Sequence, residues 1–194
     1  GLPVQAQKPD KVASAVLGLQ EAGCRVSALR CYGASENLDA MFALATNCEI
    51  GRVVLPLSAG PYIPAASDGG IEISLYNDHL NTSMTYQVLQ NLKSNGLSAN
   101  LTYSAANFAR LGESPFHQMH TSRLKGSIDQ LDISDVTFDC TPVPLGHGNA
   151  EIKELISILR CSSFDGSMVL SAENRLTGDL NDAVDRFIHL LDTM

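Results

Sequence analysis

The chain has 194 residues, 44% of them hydrophobic and 18% charged, which supplies enough apolar material for one domain with a substantial core; residues 1–194 are expected to form that single domain. Its formal charge is −8, with Lys and Arg scattered along the sequence, so a basic face for nucleic acid is not expected. No apolar run reaches the roughly 18–20 residues of a membrane span, and membrane partners are not expected either.

Residues Gly1 to Gln5 lack the charged-then-apolar pattern of a secretory leader. The five cysteines, Cys24, Cys31, Cys48, Cys140 and Cys161, are widely spaced and form no C-x-x-C pair. They read as small apolar residues of a reducing compartment, and the expected location is cytoplasmic.

Taken in chain order, helical and strand periodicities alternate. A helix over about 10–22 places Val12, Ala15, Val16 and Leu19 on one face and stops at Gly23. A strand at Val26–Leu29 follows, then a helix that Ser35 can cap, with Leu38, Met41, Phe42 and Ala45 inward. Val53–Leu55 is a continuous apolar run, of the kind buried on both faces of a parallel sheet. The link to the next strand, Ile71–Leu75, holds Gly60, Pro61, Pro64, Gly69 and Gly70 and makes a poor crossover helix.

Thr82 or Ser83 opens a helix with Met84, Val88 and Leu92 inward, closed by Asn95-Gly96. The strand Ala99–Tyr103 precedes a Ser114-Pro115 helix start with Phe116, Met119 and Leu124 inward, and Ile128–Ile133 is the next strand. A tight Gly146-His147-Gly148 turn then leads into an Asn-capped helix with Ile152, Leu155, Ile156 and Leu159 at i, i+3, i+4, i+7. A short strand, Met168–Leu170, follows Phe164-Asp165-Gly166. A last helix, Leu180–Leu191, is expected to bury Ala183, Val184, Phe187, Ile188 and Leu191. Alternation of this kind defines an α/β fold with a parallel sheet, here of about six βα units.

The stretch VPLGHGNAEIKELISILRCSSFDGSMVLS, Val143 to Ser171, resembles the last βα segment of the sugar-phosphate isomerase/epimerase family, the xylose isomerase-like TIM barrels. The family signature there runs V-P-L-G-x-G, a helix, then G-Y-D-G-x-L-V-L-E. The resemblance extends from about Ser27 onward and implies a TIM (βα) barrel. A closed barrel has eight strands and about 250 residues, so this one is expected to be incomplete, with the family's first two strands missing. Either the barrel is truncated or further chain completes it.

The resemblance also implies a site at the C-terminal ends of the strands, where the family holds a divalent metal (Mn, Mg or Zn) that polarises an open-chain sugar. Ile71–His79 resembles L-x-L-E-N-x-x-x-T, with Tyr76, or Asn77 in the adjacent register, at the ligand Glu; Asp78 and His79 lie close by. Leu101–Phe108 resembles F-D-x-G-N-W, with Ser104 at the ligand Asp and Asn107 kept. Leu131–Val136 resembles V-H-x-K-D-V, with Asp132 at the ligand His, Ser134 at the Lys and Asp135 matching. Ser171 takes the place of the last ligand Glu.

Among these, Asp132 is the one strong candidate metal ligand. Candidate catalytic residues are Asp132, His79 and His147; candidate substrate contacts are Tyr76, Ser104, Asn107 and Ser171. His117 and His120 form an i,i+3 pair expected at the surface, without a third ligand. Two functional expectations stay open: a sugar or sugar-phosphate isomerase/epimerase-like protein with a degraded metal site, or a non-catalytic relative that binds a small carbohydrate-like ligand or a protein. An open barrel edge also makes a homodimer an expected partner arrangement.

Overall fold

The computed structural model of the chain describes residues 9–32, 38–63 and 70–194. The expected cap at Ser35 and the Pro64–Gly69 part of the link lie outside the described residues. The chain forms two compact units, one from residues up to 76 with 88–100, the other from 77–87 with 101–194.

In the first unit, α1 (Pro9–Glu21) is followed by β1 (Leu29–Arg30), α2 (Leu38–Asn47), β2 (Arg52–Pro56), a 3-10 turn at Leu57–Tyr62, and β3 (Glu72–Tyr76). The three strands pair in parallel, with Leu29 opposite Val53 opposite Ile73, and Arg30 opposite Val54 opposite Ser74. Side chains alternate across a strand. Val53, Leu55, Ile73 and Leu75 therefore share one buried face, and Arg30, Ser74 and Tyr76 share the other. The expected strand Val26–Leu29 shrinks to its last residue and Arg30, because its earlier residues find no ladder partner. On α1, Val12 and Val16 are buried, whereas Leu19 is exposed in the last turn.

In the second unit, α3 (Thr82–Ser94, which carries residues of both units) precedes β4 (Asn100–Ser104), α4 (Ala105–Arg110), α5 (Pro115–Thr121), a 3-10 turn at Arg123–Ser127, and β5 (Ile128–Ile133). A two-stranded antiparallel ribbon, β6 (Asp135–Val136) with β7 (Pro142–Val143), leads to α6 (Ile152–Cys161), β8 (Ser167–Leu170), a 3-10 turn at Ala172–Leu176, and α7 (Leu180–Asp192). Strands β4, β5 and β8 are parallel, with Tyr103 opposite Leu131 opposite Met168, and Ser104 opposite Asp132 opposite Val169.

One face of this sheet meets the helices. Tyr103 donates its hydroxyl to the Pro115 carbonyl at 2.7 Å and packs on Phe108, ring centroids 4.9 Å apart. Ile152, Leu155, Ile156 and Leu159 are all buried, as their spacing requires. The other face carries Thr102, Ser104, Gln130 and Asp132, all of them buried and polar.

Several local expectations are corrected. Helix α3 buries Thr82, Thr85, Leu89 and Leu92 and leaves Met84 exposed; its start is capped by Asn81, whose side-chain oxygen accepts the Met84 N–H. Helix α6 has Glu151 at its cap position in the left-handed region, and Asn149 turns its side-chain oxygen to the Phe138 N–H instead. On α7 only Ala183 of the expected face is buried; Val184 and Ile188 are exposed. The element α7 chiefly packs against is the 3-10 turn at Ala172–Leu176, which covers little of that apolar face. All five cysteines are free thiols and only Cys48 is buried.

Candidate functional site at the strand ends

Buried polar side chains on a strand face need partners, and their clustering is informative because protein interiors are otherwise apolar. Ser104 and Asp132 are register partners on β4 and β5, so their side chains lie on one face. Asp132 is 2% exposed, and the Gln130 side-chain amide donates to its Oδ1 at 3.1 Å.

Just beyond the strands a linked set of polar groups forms. Asn77, directly after β3, uses its side chain as a backbone mimic: Nδ2 donates to the Ser104 carbonyl at 2.9 Å, and Oδ1 accepts the Ser104 N–H at 2.8 Å. Asn107 on α4 donates to the Asn77 carbonyl and accepts from Arg110 Nη1 at 2.6 Å. Arg110 then reaches Glu173, with Nη2 at 3.1 Å from each carboxylate oxygen. Ser134, directly after β5, donates to Glu173 Oε2 at 3.3 Å.

Glu173 is held in turn. Its N–H donates to the Ser171 hydroxyl, and Asn174 fixes that turn by donating to the Ile133 and Ser171 carbonyls at 2.8 and 2.9 Å. Beside it, a small, shallow polar depression is lined by Asn174, Thr177, Asp179, Asp182 and Arg186.

Arg110 and Glu173 were not singled out in the sequence. The signal available was Ser171-Ala172-Glu173, which puts a carboxylate two residues past the position that the family signature assigns to Glu. Arg110 gave none, since a basic residue in the last turn of a short helix is ordinary.

The remaining candidates sit as follows. His79 has an 88% exposed side chain and approaches Asp78 at 3.9 Å, the outer edge of ion-pair range. His147 is exposed, its turn closed by its own N–H on the Pro144 carbonyl. His117 and His120 are both exposed on α5, with His120 stacked on Phe116. Tyr76 belongs to the other unit, where the Arg30 guanidinium lies 4.1 Å from its ring centroid.

Asp135 serves the loop, not the strand ends. Its carboxylate accepts the N–H groups of Val136, Gly146, Gly148 and Ala150 at 2.9–3.0 Å, which accounts for the Gly-His-Gly motif. Farther out, the Thr137 hydroxyl, then the backbone and side chain of Thr141, hold the Asp139 carboxyl below its usual range.

A hard divalent ion takes about six oxygen ligands with carboxylates prominent among them. Here Asp132 is the one carboxylate among the positions matched to family ligands, Ser171 is already an acceptor for Glu173, and Asn77 is committed to the Ser104 backbone. Among the described residues no three His, Cys, Asp or Glu side chains gather where they could share an ion. This donor set does not fit a divalent cation.

These features define an α/β protein with the fold of the xylose isomerase-like TIM barrels, with six parallel strands of that barrel among the described residues. The solved structures similar to it include a xylose isomerase domain protein from Planctomyces limnophilus, with a TM-score of 0.72 and 11% identity over 93% of this chain and 82% of that one. They also include 3-keto-D-glucoside 4-epimerase from E. coli (TM-score 0.66, 13% identity, 96% of this chain and 85% of that one) and the protein described as the probable 3-DHS dehydratase of petrobactin synthesis from Bacillus anthracis (TM-score 0.65, 10% identity, 96% and 85%). No protein-family model and no curated protein sequence matches the chain. No helix of the described residues is long and apolar enough to cross a membrane.

Proposed function

We propose that the chain is a sugar isomerase/epimerase-like protein that binds a carbohydrate-like ligand at its strand ends without a divalent metal. The single observation that supports this reading best is the Arg110–Glu173 pair. It puts a charge-matched donor and acceptor, half-exposed and braced by Asn107 and Ser134, on the strand-end rim, where a βα barrel holds its ligand.

A polyhydroxylated ligand needs fixed donors and acceptors that hydrogen-bond hydroxyls in both senses. The carboxylate of Glu173 accepts from hydroxyls, the guanidinium of Arg110 donates to them, and the Asn107 amide holds Arg110 in place. Because Glu173 is neutralised by Arg110, it gives little charge to an approaching cation. Asp132 and Ser104 line the polar face beneath as further hydrogen-bonding groups, and a proton-transfer role for Asp132 belongs to the catalytic form of the same proposal.

The test is thermal unfolding with and without D-xylose, D-fructose and methyl β-D-glucopyranoside, each in chelator and in added Mn²⁺. A ligand selective for the folded state raises the transition temperature. Metal-free binding predicts an equal rise in both conditions, diminished in Glu173→Gln. A rise that requires Mn²⁺ and disappears in Asp132→Ala overturns the metal-free reading.

A further inference from the structure

We propose that the first unit carries an aromatic stacking subsite for a sugar ring, presented by Tyr32 on a base of Arg30 and Tyr76; the ligand class rests on the proposed function, while the geometry stands by itself. Register places Arg30 on the same face as Ser74 and, two residues along β3, Tyr76. The Arg30 guanidinium carbon lies 4.1 Å from the Tyr76 ring centroid and 5.4 Å from that of Tyr32. Both distances are inside the roughly 6 Å over which a cation is attracted to an aromatic ring. The two rings are themselves 6.4 Å apart and tilted by 56°, within the range of aromatic pairs.

Burial is graded through the three side chains. Tyr76 is buried, Arg30 is half-buried, and Tyr32 is 63% exposed. The backbone just before Tyr32 is pinned, because the Cys31 N–H donates to the Val54 carbonyl at 2.9 Å. Tyr32 is thus an exposed ring supported from below by Arg30 and Tyr76.

An aromatic ordered in advance has little rotamer freedom left to lose on binding, which is the usual economy of tyrosine-rich binding surfaces. The negative ring face suits the slightly positive C–H groups on one side of a sugar, and the phenol can hydrogen-bond a ring hydroxyl. The location agrees: Tyr32 follows β1 and Tyr76 ends β3, at the strand ends that bear ligand sites in βα folds.

The chain contains no Trp, so Tyr32→Trp introduces a single fluorescent reporter at the platform. The probes are again D-xylose, D-fructose and methyl β-D-glucopyranoside. The expected result is a saturable change in indole emission, with a midpoint matching wild-type binding by calorimetry. Tyr32→Ala is expected to weaken that binding about tenfold, the value of one stacking contact, with an unchanged unfolding transition. Wild-type affinity in Tyr32→Ala with a silent indole overturns the subsite, and if Glu173→Gln still weakens binding, the strand-end proposal survives alone. An indole response that persists unchanged in Arg110→Ala and Glu173→Gln backgrounds supports the subsite and removes those two residues from the ligand. No binding of any of the three sugars to the wild type overturns both.

Discussion

The Asp135 carboxylate accepts the Gly148 N–H at 2.9 Å, and the two residues are so close that a Cβ on Gly148 would collide with Asp135 Oδ1 and the Val136 carbonyl oxygen. Backbone on one side and a fully committed carboxylate on the other leave no route for relaxation. Gly148→Ala is therefore expected to destabilise the fold by about 1–3 kcal/mol, as overpacking does. Asp135→Asn, which turns an NH₂ toward N–H donors, is expected to cost about 2–3 kcal/mol. Urea unfolding measures both, and hydrogen exchange should show lost protection at Gly146, Gly148 and Ala150.

The Arg110–Glu173 pair is a half-exposed ion pair, with side chains 24% and 38% exposed, so water screens much of its attraction. A double-mutant cycle with Arg110→Ala and Glu173→Ala is expected to give a coupling of about 0.5–1 kcal/mol in stability. Ligand affinity should fall further than that in either single variant, because each exposes an unmatched partner to the ligand.

Two helix starts are capped from a distance, which makes another test. Glu113 accepts the Thr82 N–H and hydroxyl at the start of α3; Glu151 accepts the Ser114 hydroxyl at 2.8 Å and the Phe116 N–H at 2.7 Å at the start of α5. Glu151 also has φ of 51°. Glu151→Ala should cost about 1–2 kcal/mol for the lost cap. Glu151→Gly should cost less, since glycine relieves the left-handed backbone. Chemical denaturation of the two variants gives the order.

The sequence carried the fold better than the site. Ile152, Leu155, Ile156 and Leu159 announced a buried helical face because their period is that of an α-helix and nothing in tertiary structure competes with it. Met84 and Val184 looked the same in periodicity but are exposed. Which apolar side of a helix is covered depends on what packs against it, and α7 meets chiefly the short 3-10 turn at Ala172–Leu176. Of the residues that motif alignment singled out, Ser104, Asp132 and Ser171 lie at or next to a strand end, where position in sequence fixes position in space, and Asn107 lies within α4. Glu173 and Arg110 are 63 residues apart in the chain and meet where the end of α4 faces the 3-10 turn at Ala172–Leu176, a pairing no local pattern encodes.

Tyr103 gives the fold a signature at alkaline pH. Burial first, then the nearby carboxylates of Glu113 and Glu151, push its phenol far above the usual range. In the unfolded chain the same phenol ionises near pH 10. The folded pKa is the higher of the two, so this contribution to stability is whole below about pH 10 and is lost progressively as pH rises above it. Wild type and Tyr103→Phe should develop equal phenolate absorbance up to the unfolding transition. The wild type's stability should fall more steeply with pH, although Tyr103→Phe is less stable near neutrality by about 1–3 kcal/mol for the unsatisfied Pro115 carbonyl.

Metal content and sugar binding measured on one purified sample, by elemental analysis and calorimetry in the presence of chelator, bear most directly on how the strand ends work. A rim organised by Arg110 and Glu173 predicts a metal-to-protein ratio near zero, with sugar binding intact and weakened in Glu173→Gln. One tightly held Mn²⁺ or Zn²⁺ per chain, lost together with sugar binding in Asp132→Ala, would contradict it.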